Sequence, residues 1–131
     1  MKKDEVLRLW ELYGKHKKVY NRGYRCVMPS LLKFDDMESA EKVLEEWESQ
    51  CKHYDIWIPN FLIDSYCRKG LLQKAKTLVN RVKLKGGKPD ACTLFYIVTA
   101  YLRDNQTGKA VDTLKEASVV RGDQWKPYEE S

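Results

Sequence analysis

Apolar residues recur along the chain in pairs of stretches with helical spacing, and a short polar or glycine-bearing break separates each stretch from the next. Between residues 56 and 90, Leu62, Ile63, Tyr66 and Cys67 form one stripe, and Leu71, Ala75, Leu78, Val79 and Val82 form a second. At 3.6 residues per turn such positions return to one side of a helix. The pattern therefore predicts a helix, a turn and an antiparallel helix, with essentially no strand. Asp35, Gly70 and Asn105 occupy the breaks, and these residue types tolerate the left-handed conformation that ends a helix. Gly86 and Gly87 stop the second helix of this stretch, Pro89 prevents its resumption, and Asp90 precedes the next helix. Pro59 lies near a helix start, where its missing N–H costs little; Pro29 falls inside a helix and is expected to bend it.

The whole pattern repeats every 35 residues, as Ala40, Ala75 and Ala110 show. Apolar Val27, Leu62 and Ile97 coincide at that offset, as do Met28, Ile63 and Val98, small Ser30, Ser65 and Ala100, and basic Lys33, Arg68 and Arg103. A fixed period of this size predicts an all-α solenoid of stacked helix-turn-helix units. The units run 21–55, 56–90 and 91–125, the last degenerate, with a tail at 126–131. Residues 1–20 match only the second helix of a partial unit, in which Leu7, Trp10 and Leu12 are expected to face inward. A chain that starts in mid-unit reads most simply as a fragment of a longer protein. Terminal units of a solenoid lack one neighbour, which predicts a monomer with less stable ends or weak self-association through them.

Composition narrows the function. The chain has 131 residues, 43% of them hydrophobic, and a formal net charge of +5, which favours a polyanionic partner. No apolar run is long enough for a membrane span, and the start MKKDEVLRLW has neither a secretory core nor an acid-free transit segment. Cys26, Cys51, Cys67 and Cys92 lack C-x-x-C spacing and read as reduced, small core residues. Trp10, Trp47 and Trp125 read as packing residues. His16 and His53 have no partners at metal-ligand spacing, and the adjacent Asp35 and Asp36 sit in a turn, where capping explains them better than acid-base chemistry. The sequence therefore predicts no catalytic constellation, metal or cofactor.

The stretch from Ile56 to Asp90, with N-F-L-I-D-S-Y-C-R-K-G in its first half and G-G-K-P-D at its close, resembles a pentatricopeptide repeat. The likeness is clear in 21–55 and weaker from 91 onward, where the closing K-P-D is absent. It implies a right-handed superhelix whose first helices line a concave face that binds single-stranded RNA in organelles, each unit reading one base through its fifth and last residues. Carried onto this chain, the base-reading pair is Asn60 with Asp90, associated with uracil and more weakly with cytosine. Arg25 with Asp55 departs from the pattern and should form an ion pair; Phe95, without a closing partner, could stack but not read an edge. Arg22, Trp57 and Cys92 would flank the bases, and Lys33, Arg68 and Arg103 would follow the phosphates.

Plainer roles compete with these. Asn60 could bond its own backbone, Asp55 and Asp90 could cap helices, Trp57 could be core, and the cationic row could complement helix dipoles. The resemblance implies a non-enzymatic RNA-binding module acting in RNA processing, stability or translation. Its compartment would be the mitochondrion, or alternatively the chloroplast, with the transit peptide absent from this fragment. The rival is a helical scaffold for other proteins.

Overall fold

A computed structural model describes residues 2–16 and 20–122. It contains helices α1 (Lys2–His16), α2 (Asn21–Lys33), α3 (Met37–Gln50), α4 (Trp57–Arg68), α5 (Leu72–Leu84), α6 (Ala91–Arg103) and α7 (Thr107–Gly122), and no strand among the described residues. Trp125 and the residues from 123 to 131 lie outside the described residues, as do the last positions assigned to the third unit.

Local chemistry repeats with the sequence. Asp35, Gly70 and Asn105 all have positive φ, at 62°, 76° and 58°. At each, the following residue donates its N–H back to a carbonyl one turn inside the helix: Asp36 to Leu31 at 3.0 Å, Leu71 to Tyr66 at 2.8 Å and Gln106 to Tyr101 at 2.9 Å. This closing bond satisfies carbonyls that the helix end leaves without a partner, and it sets the chain reversal from first to second helix. Gly86 repeats the geometry at φ 91°, with Gly87 donating to Val82. At the opposite ends Asp36 caps α3 through Ser39 N–H, and Asp90 caps α6 in a reciprocal box with Thr93.

Each hairpin closes on itself, α2 with α3, α4 with α5 and α6 with α7. The first helices also pack directly side by side, α2 on α4 and α4 on α6, while α3 and α5 are joined across a wider gap by the ion pairs Glu41–Lys74 (3.5 Å) and Glu48–Arg81 (3.0 Å). A stack whose first helices lie closer than its second helices curves toward the first. The core between the layers is continuous, from Met28, Leu31 and Trp47 through Ile58, Leu62 and Ile63 to Val82 and Ile97. Trp47 is fully buried, and its indole N–H donates to Asn21 Oδ1 at 2.8 Å, so the one polar atom of the ring is satisfied.

Several expectations are corrected. Leu12 is exposed, because among the described helices α1 packs on α2 and turns Val6, Leu7 and Trp10 toward it; Trp10 packs edge-on against Tyr24 at 4.9 Å. Leu71 is not part of the buried stripe of α5 but its N-cap, outside the first turn. Of the cysteines only Cys67 is core; Cys26 and Cys92 are exposed and Cys51 is half-buried at the end of α3. The prolines fall where the sequence placed them, Pro29 inside α2 and Pro59 in the first turn of α4.

Candidate nucleic-acid interface

The layer of α2, α4 and α6 carries most of the residues singled out from the sequence. Arg22, Trp57 and Cys92, equivalent by the period, are all exposed, Trp57 by 60%. Trp57 is the first residue of α4, and its ring leans on Phe61 one turn later at 6.4 Å and 58°. It therefore projects from the helix start and leaves the core to Ile58. Phe95 is also exposed, near the start of α6.

Asn60 and Asp90 are brought together although 30 residues apart: Asn60 Nδ2 donates to Asp90 Oδ1 at 3.3 Å. Asn60 is only 7% exposed, because Thr93 covers it from α6 and bonds to its Oδ1 at 2.6 Å. The carboxylate can only accept, so the amide nitrogen must face Asp90 and the amide oxygen the Thr93 hydroxyl. The amide keeps one N–H and one lone pair beyond these bonds. Thr93 is the residue that inspection of single repeat positions misses; the D-x-x-T spacing from Asp90 to Thr93, a capping-box signature, was its signal.

In the preceding unit Arg25 Nε donates to Asp55 Oδ2 at 2.6 Å, and Asp55 Oδ1 accepts from Trp57 N–H at 3.0 Å. The carboxylate thus serves as partner to the arginine and as a cap for α4, and it is nearly buried.

The cationic residues are not a uniform row. Lys33 and Arg68 line one cleft of about 560 Å³ between α2 and α4, together with Phe61, Asp64 and Lys69. There Arg68 pairs with Asp64 one turn before it at 2.5 Å, and that carboxylate holds the guanidinium above its ordinary pKa; Lys69 pairs with Asp35. Arg103 lies in the next cleft and reaches back to the carbonyl of Cys67 at 3.4 Å. The acidic partners were legible for Asp64, four residues before Arg68 on one helix face. No cluster of metal-ligating residues occurs among the described residues.

The pentatricopeptide repeat model matches residues 58–87, which span α4, α5 and the turn between them. A mitochondrial pentatricopeptide repeat-containing protein of Arabidopsis thaliana is 41% identical over 98% of this chain and 26% of its own length. A second such Arabidopsis protein is 36% identical over 95% of this chain and 26% of its own. A large ribosomal subunit protein of the same plant is 34% identical over 97% of this chain and 27% of its own. The chain thus spans about a quarter of the length of the curated relatives it matches.

Proposed function

Because this chain belongs to the pentatricopeptide repeat family, we propose that it binds single-stranded RNA along the layer of α2, α4 and α6 as a sequence-selective, non-catalytic module. The observation that carries this reading is the contact of Asn60 with Asp90 beside exposed Trp57: the two residues the family combines to read a base lie together, next to a free aromatic face. An amide held by a carboxylate keeps a fixed donor and acceptor for a pyrimidine edge, which reaches them by displacing the cover that Thr93 places over Asn60, and this pair favours uridine. Trp57 and Arg22 supply flanking planar surfaces, and Lys33, Arg68 and Arg103 meet the phosphates. The compartment is the mitochondrion, as in the names of several relatives, and the role of the whole protein lies in RNA processing, stability or translation.

Three phosphate contacts on a single strand imply a log–log salt slope of about −2, and about −1.4 while Asp64 holds Arg68; one stacked and one edge-read base add about a few kcal/mol. Affinity for a short RNA is therefore weak, on the order of tens of micromolar. A titration against single-stranded and duplex RNA tests this, with Trp57→Ala weakening all single strands and Asn60→Ala weakening uridine preference without altering the salt slope. Melting curves of both variants separate binding from folding. Equal affinity for duplex and single strand, or indifference to both substitutions, sinks the reading.

One observation favours a second reading, a scaffold within a larger assembly. The acidic partners of Arg25, Arg68 and Lys69 neutralise cations that RNA would use, and a large ribosomal subunit protein is among the relatives. Failure of the titration makes this the better account.

A further inference from the structure

The Arg25 and Asp55 pair departs from the amide-and-aspartate pattern of the next unit, yet it is built with the same care. Asp55 is 9% exposed, and its two oxygens are committed to different elements, Oδ2 to Arg25 on α2 and Oδ1 to the backbone N–H of Trp57 at the start of α4. A carboxylate fixed at both oxygens cannot rotate, and the guanidinium it holds is planar, so a bond at Nε sets the plane of the whole group. The N–H groups on the Nη nitrogens are not used by that bond, and the Arg25 side chain remains 52% exposed.

We propose that Arg25, oriented by Asp55, is a guanine-reading residue; this rests on the RNA-binding reading above. A guanidinium fork offers two parallel donors, and the matching pair of acceptors is O6 and N7 of guanine. Adenine places an amino group where guanine has O6 and sets donor against donor. Uracil has an N–H between its two carbonyls and offers no adjacent acceptor pair. Cytosine does offer one, but its smaller ring covers less of the stacking surfaces nearby. Those surfaces are Arg22, one turn before Arg25 on the same face of α2, and Trp57, whose own backbone is bonded to Asp55. In an unpaired strand the Hoogsteen edge is open to such a contact. The unit therefore exchanges a neutral pyrimidine reader for a charged purine reader rather than losing its selectivity.

The test uses the intact chain and short single-stranded RNAs in an adenosine background, each with one uridine preceded or followed by G, A, C or U. Guanine on one side of the uridine should tighten binding about tenfold over the other bases. Arg25→Lys keeps the charge but not the fork, so it should abolish that preference and leave the salt dependence intact. Asp55→Asn can still accept from Trp57 N–H yet no longer anchors the guanidinium; it should raise affinity for the RNAs without guanine a few-fold while erasing the guanine preference. A guanine preference that survives Arg25→Lys, or an Arg25→Ala variant that weakens all four bases alike and flattens the salt slope, marks a phosphate contact and overturns the proposal, as does a preference for cytosine. Uridine selectivity that depends on Asn60, without any guanine preference, overturns this inference alone, whereas absence of RNA binding overturns both.

Discussion

Gly87 lies flat against the ring of Tyr54, so close that a β-carbon on Gly87 would come within 2.8 Å of the ring's Cδ1 and Cζ and nearer still to Cε1. The same ring stacks edge-on against buried Trp47 at 4.9 Å, which limits how far it can retreat. Gly86 supplies the left-handed turn after α5, and Gly87 supplies the space by which that turn docks on the preceding unit.

Gly87→Ala is accordingly expected to destabilise the chain by about 1 to 3 kcal/mol, the range for overpacking a filled site. Thermal melting of Gly87→Ala, Tyr54→Leu and the double variant checks this. The second substitution should largely rescue the first, because the clash needs both side chains; additive losses would mean that Gly87 acts through its backbone instead.

The Tyr54 hydroxyl is buried without a hydrogen-bond partner among the described residues, and burial pushes its pKa up to about 12. The Tyr66 hydroxyl is likewise raised by burial, but it donates to Glu41 across the units. Tyr54→Phe removes an unsatisfied group and should be neutral or stabilising, whereas Tyr66→Phe loses a charge-assisted bond and should cost about 1.5 to 3 kcal/mol. Denaturant titration of the two variants decides the order.

The Asp36 carboxyl is held below the usual carboxylate range, chiefly by its hydrogen bonds from Ser39 at the start of α3 and less by Lys3 nearby. A carboxyl whose folded pKa is depressed adds stability above its unfolded value and loses it as pH falls through the folded value. Melting temperatures of wild type and Asp36→Ala should therefore differ at pH 6 by the equivalent of about 1 kcal/mol and converge at strongly acidic pH. A difference that persists there would show that the cap does not act through charge.

Burial holds the Cys67 thiol up at about 11, while Cys26 and Cys92 are exposed. Only the thiolate is nucleophilic, so at pH 8 Cys26 and Cys92 should react with iodoacetamide first and Cys67 last. For Cys67 the folded pKa lies above the ordinary thiol value of 9.0, so stability is unaffected below 9.0 and falls as pH rises from there through about 11. Mass-spectrometric mapping against time gives the order; early modification of Cys67 in the folded chain would contradict the burial.

Asp64 neutralises Arg68 inside the cleft that also holds Lys33. Asp64→Asn should raise affinity for single-stranded RNA a few-fold and steepen the salt slope by up to about 0.7, one further cation becoming free for a phosphate. An unchanged slope would place Arg68 away from the RNA backbone.

What the sequence determined by itself is everything that depends on neighbours along the chain. The apolar stripes specified helices, and the residues at Asp35, Gly70 and Asn105 specified left-handed breaks, because both follow from backbone sterics and hydrogen bonds within a turn. The approach of Arg25 to Asp55 was legible through the resemblance, which pairs the fifth and last residues of a unit. Only the tertiary structure decided how far each helix is rotated about its axis against its neighbours, and exposure follows that rotation. It left Leu12, Cys26 and Cys92 outside, buried Asn60 under Thr93, and pressed Gly87 onto Tyr54. Each of these outcomes depends on an atom contributed by a different helix or unit, and helical periodicity along one segment carries no term for that partner.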